Sequence, residues 1–215
     1  MNDHTDTDRQ PTTAPPLPGI PGLAWTQIRT TAVELTRHDW PVLPGTYQLA
    51  VHGAWLGKSS SVGLEPAANL WPLGTTTDPE VAMDWWTRRP YSLLLACGTR
   101  VNAVEVPAEH GQRALVRFQR AERGPVAATP FSSLLFFVRR DDEPLWQDLA
   151  AHAHAQVHAS GAWLPLPPTT REGVPYHWLV APSSVGWTLP ASADVQRALT
   201  EALGSPVGNA APRPA

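Results

Sequence analysis

Short apolar runs of strand length, separated by turn residues, set the limits on what this chain can fold into. Residues 91–97 form one such run, closed by Gly98, and residues 101–106 follow with alternating character. Residues 126–129 and 134–138 read as two further strands around a turn at 130–133. Residues 162–166 and 176–180 are strand-like and are joined across Pro167-Pro168. The first two strands are expected to lie side by side in one sheet.

Helical periodicity fills the gaps. Residues 24–39 place Ile28, Ala32 and Leu35 on one face, and Trp40-Pro41 then breaks the helix. Thr77-Asp78-Pro79-Glu80 is a helix start: Asp78 can cap, Pro79 suits the first position, and Thr77 with Glu80 matches a capping box. That helix has Val81 and Trp85 on a shared face and stops before Pro90. Residues 111–121 read as a helix with Ala114, Leu115 and Phe118 inward, and residues 144–158 as another. Residues 192–203 close the chain with Val195, Leu199 and Leu203 in line and Gly204 as the terminating glycine. Residues 45–75 are rich in Gly and Ser and predict a long, partly ordered connection. Strands and helices mix without regular alternation, which predicts an α+β fold.

Composition agrees with one globular domain: 42% of the 215 residues are hydrophobic and only 16% charged. No apolar run reaches 18 residues, which argues against a membrane span. The acidic, polar start MNDHTDTDRQ does not resemble a secretory signal, so a cytoplasmic location is expected. Cys97 is alone, which excludes an internal disulfide or a Cys-based zinc site. A net charge of −3 is a poor footprint for tight duplex binding. The Arg88-Arg89 and Arg139-Arg140 pairs, with Arg113, are the candidate phosphate partners.

Two apparent motifs fail. GAWLGKS at 53–59 has three residues between its glycines where a phosphate-binding loop needs four. His154 and His158 would share a face on a helix, beside His152, but no carboxylate or Cys stands near them in sequence to complete a metal site.

Five stretches taken in order carry a resemblance: WPVLP at 40–44; TTDPE at 76–80 leading to Trp85-Trp86; YSLLLACG at 91–98 with VNAVEV at 101–106; GPVAATP at 124–130 with LLFFV at 134–138; and GAWLPLPPT at 161–169 with YHW at 176–178. In this order the chain resembles the N-terminal domain of bifunctional DNA primase/polymerases, the prim-pol family. It is most similar to the short, free-standing, streptomycete-like actinobacterial members. The resemblance implies a primase/polymerase-like domain with an RRM-like mixed sheet, flanking helices and a smaller α/β unit. It also implies nucleotide addition to a 3′-hydroxyl, using two divalent metals (Mg or Mn) held by carboxylates, with a histidine steadying the triphosphate.

Carried over by position, the family's first acid falls on Glu105, which is the one retained acid and so the candidate catalytic and metal-binding residue. The second falls on Pro107, the histidine near Leu135 and the third acid near Gln156. Glu109 and Asp141 are the acids that could stand in. Three functions are therefore open: an accessory nucleotide- or nucleic-acid-binding protein with single-stranded DNA or a nucleotide as partner and no polymerase activity; a protein-interaction scaffold; or an active enzyme with relocated carboxylates.

The ends, 1–23 and 205–215, lack an apolar face that could offset the entropy of ordering them, leaving one domain over 24–204. Limited proteolysis is expected to leave a resistant core of about residues 23–204. A large fall in melting temperature on removing 1–22 and 206–215 would contradict this.

Overall fold

A computed structural model describes residues 21–67, 74–118, 123–140, 149 and 155–203. Residues 1–20 and 204–215, most of the expected helix at 144–158 and Asp141 lie outside the described residues; residues 21–23, expected as part of the unstructured arm, instead form the first turn of a helix. Among the described residues no helix is long and apolar enough to cross a membrane.

The elements are α1 (Pro21–Arg37), β1 (Val42–Gly45), α2 (Pro79–Arg88), β2 (Ser92–Ala96), β3 (Val101–Pro107), α3 (Ala108–Arg117), β4 (Val126–Ala128), β5 (Ser133–Arg139), β6 (Gln156–His158), β7 (Trp163–Pro165), β8 (Thr170–Arg171), β9 (Val174–Pro175), β10 (His177–Val180) and α4 (Ser192–Leu203). A small sheet has the order β1-β2-β7 and a larger one β10-β4-β5-β3-β6, while β8 and β9 form a hairpin. The fold is α+β as expected. Every pairing between these strands is antiparallel, where a mixed sheet was expected.

The inner strands of the larger sheet are buried on both faces, which is why β5 reads as a continuous apolar run. Val104, Val106, Leu134, Phe136 and Val138 point to one side and pack with Ala114 and Phe118 beside α3 and with Val195 and Leu199 of α4. Ala103, Ala127, Leu135 and Phe137 point to the other. There they join a core shared with the small sheet (Val42, Leu93, Leu95) and with α1 and α2 (Ala32, Leu35, Ala82, Trp86). Trp40 stitches the halves: its ring lies 5.4 Å from Phe137 and 6.3 Å from Trp178.

The strands at 92–96 and 101–107 are not neighbours, contrary to expectation. Each edge of β2 is taken, by β1 and β7, and each edge of β3 is taken, by β5 and β6. The chain crosses between the sheets at Cys97–Arg100. Gly98 sits there at φ +96, with Ser160 so close that an added Cβ would lie 2.2 Å from its Cα. Burial pushes the Cys97 thiol up to about 12, so it acts as a small apolar residue.

Local signals hold with small shifts. Asp78 caps α2 by accepting from the Glu80 N–H, while Thr76, not Thr77, braces the turn by accepting from the Asp78 N–H. The buried face of α2 carries Ala82 and Trp86, one residue on from the expected Val81 and Trp85. α3 begins at Ala108, directly after the strand-ending Pro107, with Gly111 letting it lie against Leu134. The stretch after β1 is pinned: Tyr47 bridges Leu56, and the Thr46 hydroxyl donates to Gly63 and accepts from the Glu65 N–H. Gln156–His158 is strand, not the end of a helix.

Gly98→Ala is expected to destabilise the domain by at least about 1 kcal/mol, from the left-handed backbone and the clash with Ser160 together. Urea unfolding checks this, and an unchanged midpoint would contradict the crossover geometry.

Candidate functional site

Glu105 lies on β3, an interior strand of the larger sheet, with its side chain half-buried. Strand register places it opposite Leu135 on β5 and opposite Gln156 on β6. These three side chains therefore form one row on one face of the sheet. Pro107 is two residues further along β3, on the same face, and pairs with Ser133. His158 pairs with Ala103 and so shares that face as well.

An ionised carboxylate this enclosed needs hydrogen-bond donors. The Ser133 hydroxyl donates to Glu105 Oε1, and His158 Nε2 lies 3.0 Å from Oε2. Thr129 extends the chain, its hydroxyl 2.6 Å from that of Ser133. The His158 hydrogen bond, helped by Ser133, holds the Glu105 carboxyl below its ordinary value of 4.5, and outweighs the opposing effect of burial. The order is Ser–Glu–His, with the carboxylate in the centre. A hydrolytic triad needs the imidazole between nucleophile and carboxylate, so this arrangement does not activate Ser133.

Beside Glu105 the face opens into a cavity of about 170 Å³ between the larger sheet and β7. Leu135 and Leu164 line its interior, with Phe131, Trp163 and Tyr176 around it. Arg171, on the β8–β9 hairpin, also lines it and lies over the Phe131 ring, 4.7 Å from the centroid. Burial raises the Tyr176 hydroxyl, with Arg171 opposing.

The arginines singled out from the sequence are dispersed. Arg113 pairs with Glu109 on α3, which covers the opposite face of the sheet. Arg88 pairs with Asp84 at the end of α2. Arg89 hydrogen-bonds Tyr47 and lines an open groove with Lys58, Trp55 and Tyr91. Arg139 pairs with Val101 at the far end of β3, about 13 Å along the strand from Glu105, and Arg140 follows it. Glu109 stays at the surface with Arg113 and does not join Glu105. His158, Ser133 and Arg171 were not foreseen as partners of this site. His158 had been read on a helix; its position two residues after Gln156, on a strand, is the signal that could have placed it.

A search against protein-family models matches residues 32–196 to the bifunctional DNA primase/polymerase, N-terminal domain. The chain belongs to the Prim-Pol family. Searches of curated proteins and of solved structures return no match. The family's fold therefore spans everything from within α1 to within α4.

The family's two metals can be tested against the residues present. Among the described residues, no group of three or more His, Cys, Asp or Glu side chains could hold a metal ion. The Glu105 row offers one carboxylate, already engaged on both oxygens, flanked by Leu135 and Gln156. These residues do not fit a two-metal clamp, which needs several carboxylates.

The depressed Glu105 pKa makes stability pH-dependent. The ionised carboxylate contributes its full stabilisation above the unfolded-state value near 4.5, and loses it as pH falls through the lower folded-state value. Urea midpoints for the native chain are expected to fall steeply below about pH 4.5, and Glu105→Gln is expected to flatten that fall. Identical pH profiles for the two proteins would contradict it.

Proposed function

We propose that this Prim-Pol domain binds a nucleotide or single-stranded nucleic acid as an accessory protein and does not polymerise. The observation that carries the reading is the row Leu135–Glu105–Gln156. At the two positions beside Glu105 where the family resemblance implies a histidine and an acid, this chain has an aliphatic side chain and a neutral amide. Leucine cannot donate to a triphosphate, and Gln156 adds no charge to hold a cation. Loss of one charge-stabilising group commonly costs about 10²–10³-fold in rate, and losses at several positions leave little beyond binding.

Single-stranded nucleic acid has a plausible track in the open groove of Arg89, Lys58, Trp55 and Tyr91, which combines cationic and aromatic groups. Lys58 is partly neutralised by Glu65 at 2.6 Å and net charge is −3, so this binding is weak and salt-sensitive.

Primer extension and de novo synthesis with Mg²⁺ or Mn²⁺ are expected to give no product. Robust extension that Glu105→Gln abolishes would overturn the reading and place the missing carboxylates elsewhere, with Asp141 and Glu109 first to test. Fluorescence anisotropy with single-stranded DNA is expected to show binding at low salt that fades at moderate salt. Absence of binding at low salt would favour a protein-interaction scaffold instead.

A further inference from the structure

The cavity beside Glu105 has a chemical polarity that narrows its guest. Its volume of about 170 Å³ is well below the roughly 300–1,000 Å³ of pockets that enclose a whole drug-sized ligand. It therefore admits one ring system and leaves the remainder outside. Its lining is about half polar and half apolar: Leu64, Leu135, Leu164 and the rings of Phe131 and Trp163 offer a face to a flat ring, while Glu105, Thr129, Arg171 and Tyr176 offer polar atoms to its edge. Two charged groups reach it, Glu105 and Arg171. Glu105 is rooted in β3, an interior strand of the larger sheet, whereas Arg171 lies on the exposed β8–β9 hairpin.

This pair of charges excludes several guests. A phosphate cannot sit against Glu105, because like charges repel at close range. A compact cation is disfavoured by Arg171, and the carboxylate already has two donors. Each carboxylate oxygen nevertheless keeps a second lone-pair direction after accepting from Ser133 or His158. The free acceptors call for a guest that presents two adjacent N–H groups on one edge. Among the common bases only guanine does so, through N1–H and the N2 amino group. Adenine and cytosine set a ring-nitrogen lone pair beside their amino group, and uracil flanks its one N–H with two carbonyls; each would place an acceptor against the carboxylate.

We infer that this cavity is a guanine pocket, in which Glu105 accepts from N1–H and N2–H of a guanine nucleotide and Arg171 meets the phosphate outside. The inference rests on the nucleotide-binding reading above and assigns that reading a ligand class. It orients the nucleotide base-inward, with the phosphate away from the Glu105 row.

Calorimetric titration of the full chain with GMP, guanosine, AMP and UMP at neutral pH and low salt tests it. GMP is expected to bind at least about tenfold more tightly than AMP or UMP, the ratio that one hydrogen bond to a charged group supplies. Glu105→Gln is expected to remove the preference for guanine, since the amide replaces one acceptor with a donor. Arg171→Ala, at an exposed hairpin position where misfolding is not at issue, is expected to erase the advantage of GMP over guanosine. An oligothymidylate with one internal guanine, compared with the same strand lacking it, tells whether the pocket also takes guanine from a strand. No detectable GMP binding, equal binding of AMP and GMP, or a GMP affinity unchanged in both variants would each overturn the inference. The two readings fail separately: single-stranded DNA binding without GMP binding sinks the guanine pocket alone, and template-directed extension sinks the accessory role whatever the base preference.

Discussion

Strand β3 is paired on both edges at Ala103–Glu105 and packed on both faces over most of its length, and the rest of the molecule is arranged around that fact. β5 and β6 take its edges. Val104 and Val106 are sealed under α3 and α4, and Ala103 is sealed against the shared core. A strand so enclosed tolerates a charge only where that charge is solvated by the protein itself. Glu105 is at the one place on β3 where the core gives way to a cavity. Its two oxygens are met by a hydroxyl from the first residue of β5 and an imidazole from β6. The site thus depends on two long-range strand pairings, and either pairing would be disturbed by loss of the carboxylate's partners.

The two sheets share one core, and aromatic rings stitch across it. Trp40, Phe137 and Trp178 meet at ring distances of 5.4–6.3 Å, and their side chains come from the α1–β1 connection, β5 and β10. Trp25 adds a tie between α1 and α2 by donating to the Trp86 carbonyl. Large rings suit this stitching, because they can span the space between elements that do not share a ladder. The cavity beside Glu105 persists because β7 and the β8–β9 hairpin reach its rim without filling it.

Much of this was legible in the sequence because it was written in local pattern. The capping signal at Asp78, the strand-ending Pro107, the apolar run of β5 and the stripe of α4 each depend on near neighbours alone. The α+β class followed from them, and the family from the resemblance of five stretches taken in order. What failed was non-local. The period-2 pattern marks 101–106 as a strand but says nothing of which edges are taken, so β2 and β3 are expected side by side, whereas β1 and β7 take the edges of β2, and β5 and β6 those of β3. His158 looked like part of a helix because the alanine-rich run before it favours helix, and tertiary pairing with Ala103 overrode that propensity. Arg171 was invisible as a site residue because the chain returns to Glu105 only through the hairpin at 170–175.

The hydrogen bonds at Glu105 and the cations of the family's chemistry answer the same physical demand. A carboxylate held in a protein interior is stable only if something positive or protic faces its lone pairs. In a metal-dependent site the cation meets that demand and neighbouring acids share the cation. In this chain the neighbours in the same row are Leu135 and Gln156, and the demand is met from the protein by Ser133 and His158. Such a carboxylate is pre-paired in the free protein, with both oxygens fixed in direction by side chains from different strands. On the reading proposed above, it keeps those partners instead of yielding them to a hydrated cation, and takes further N–H donors from a neutral guest.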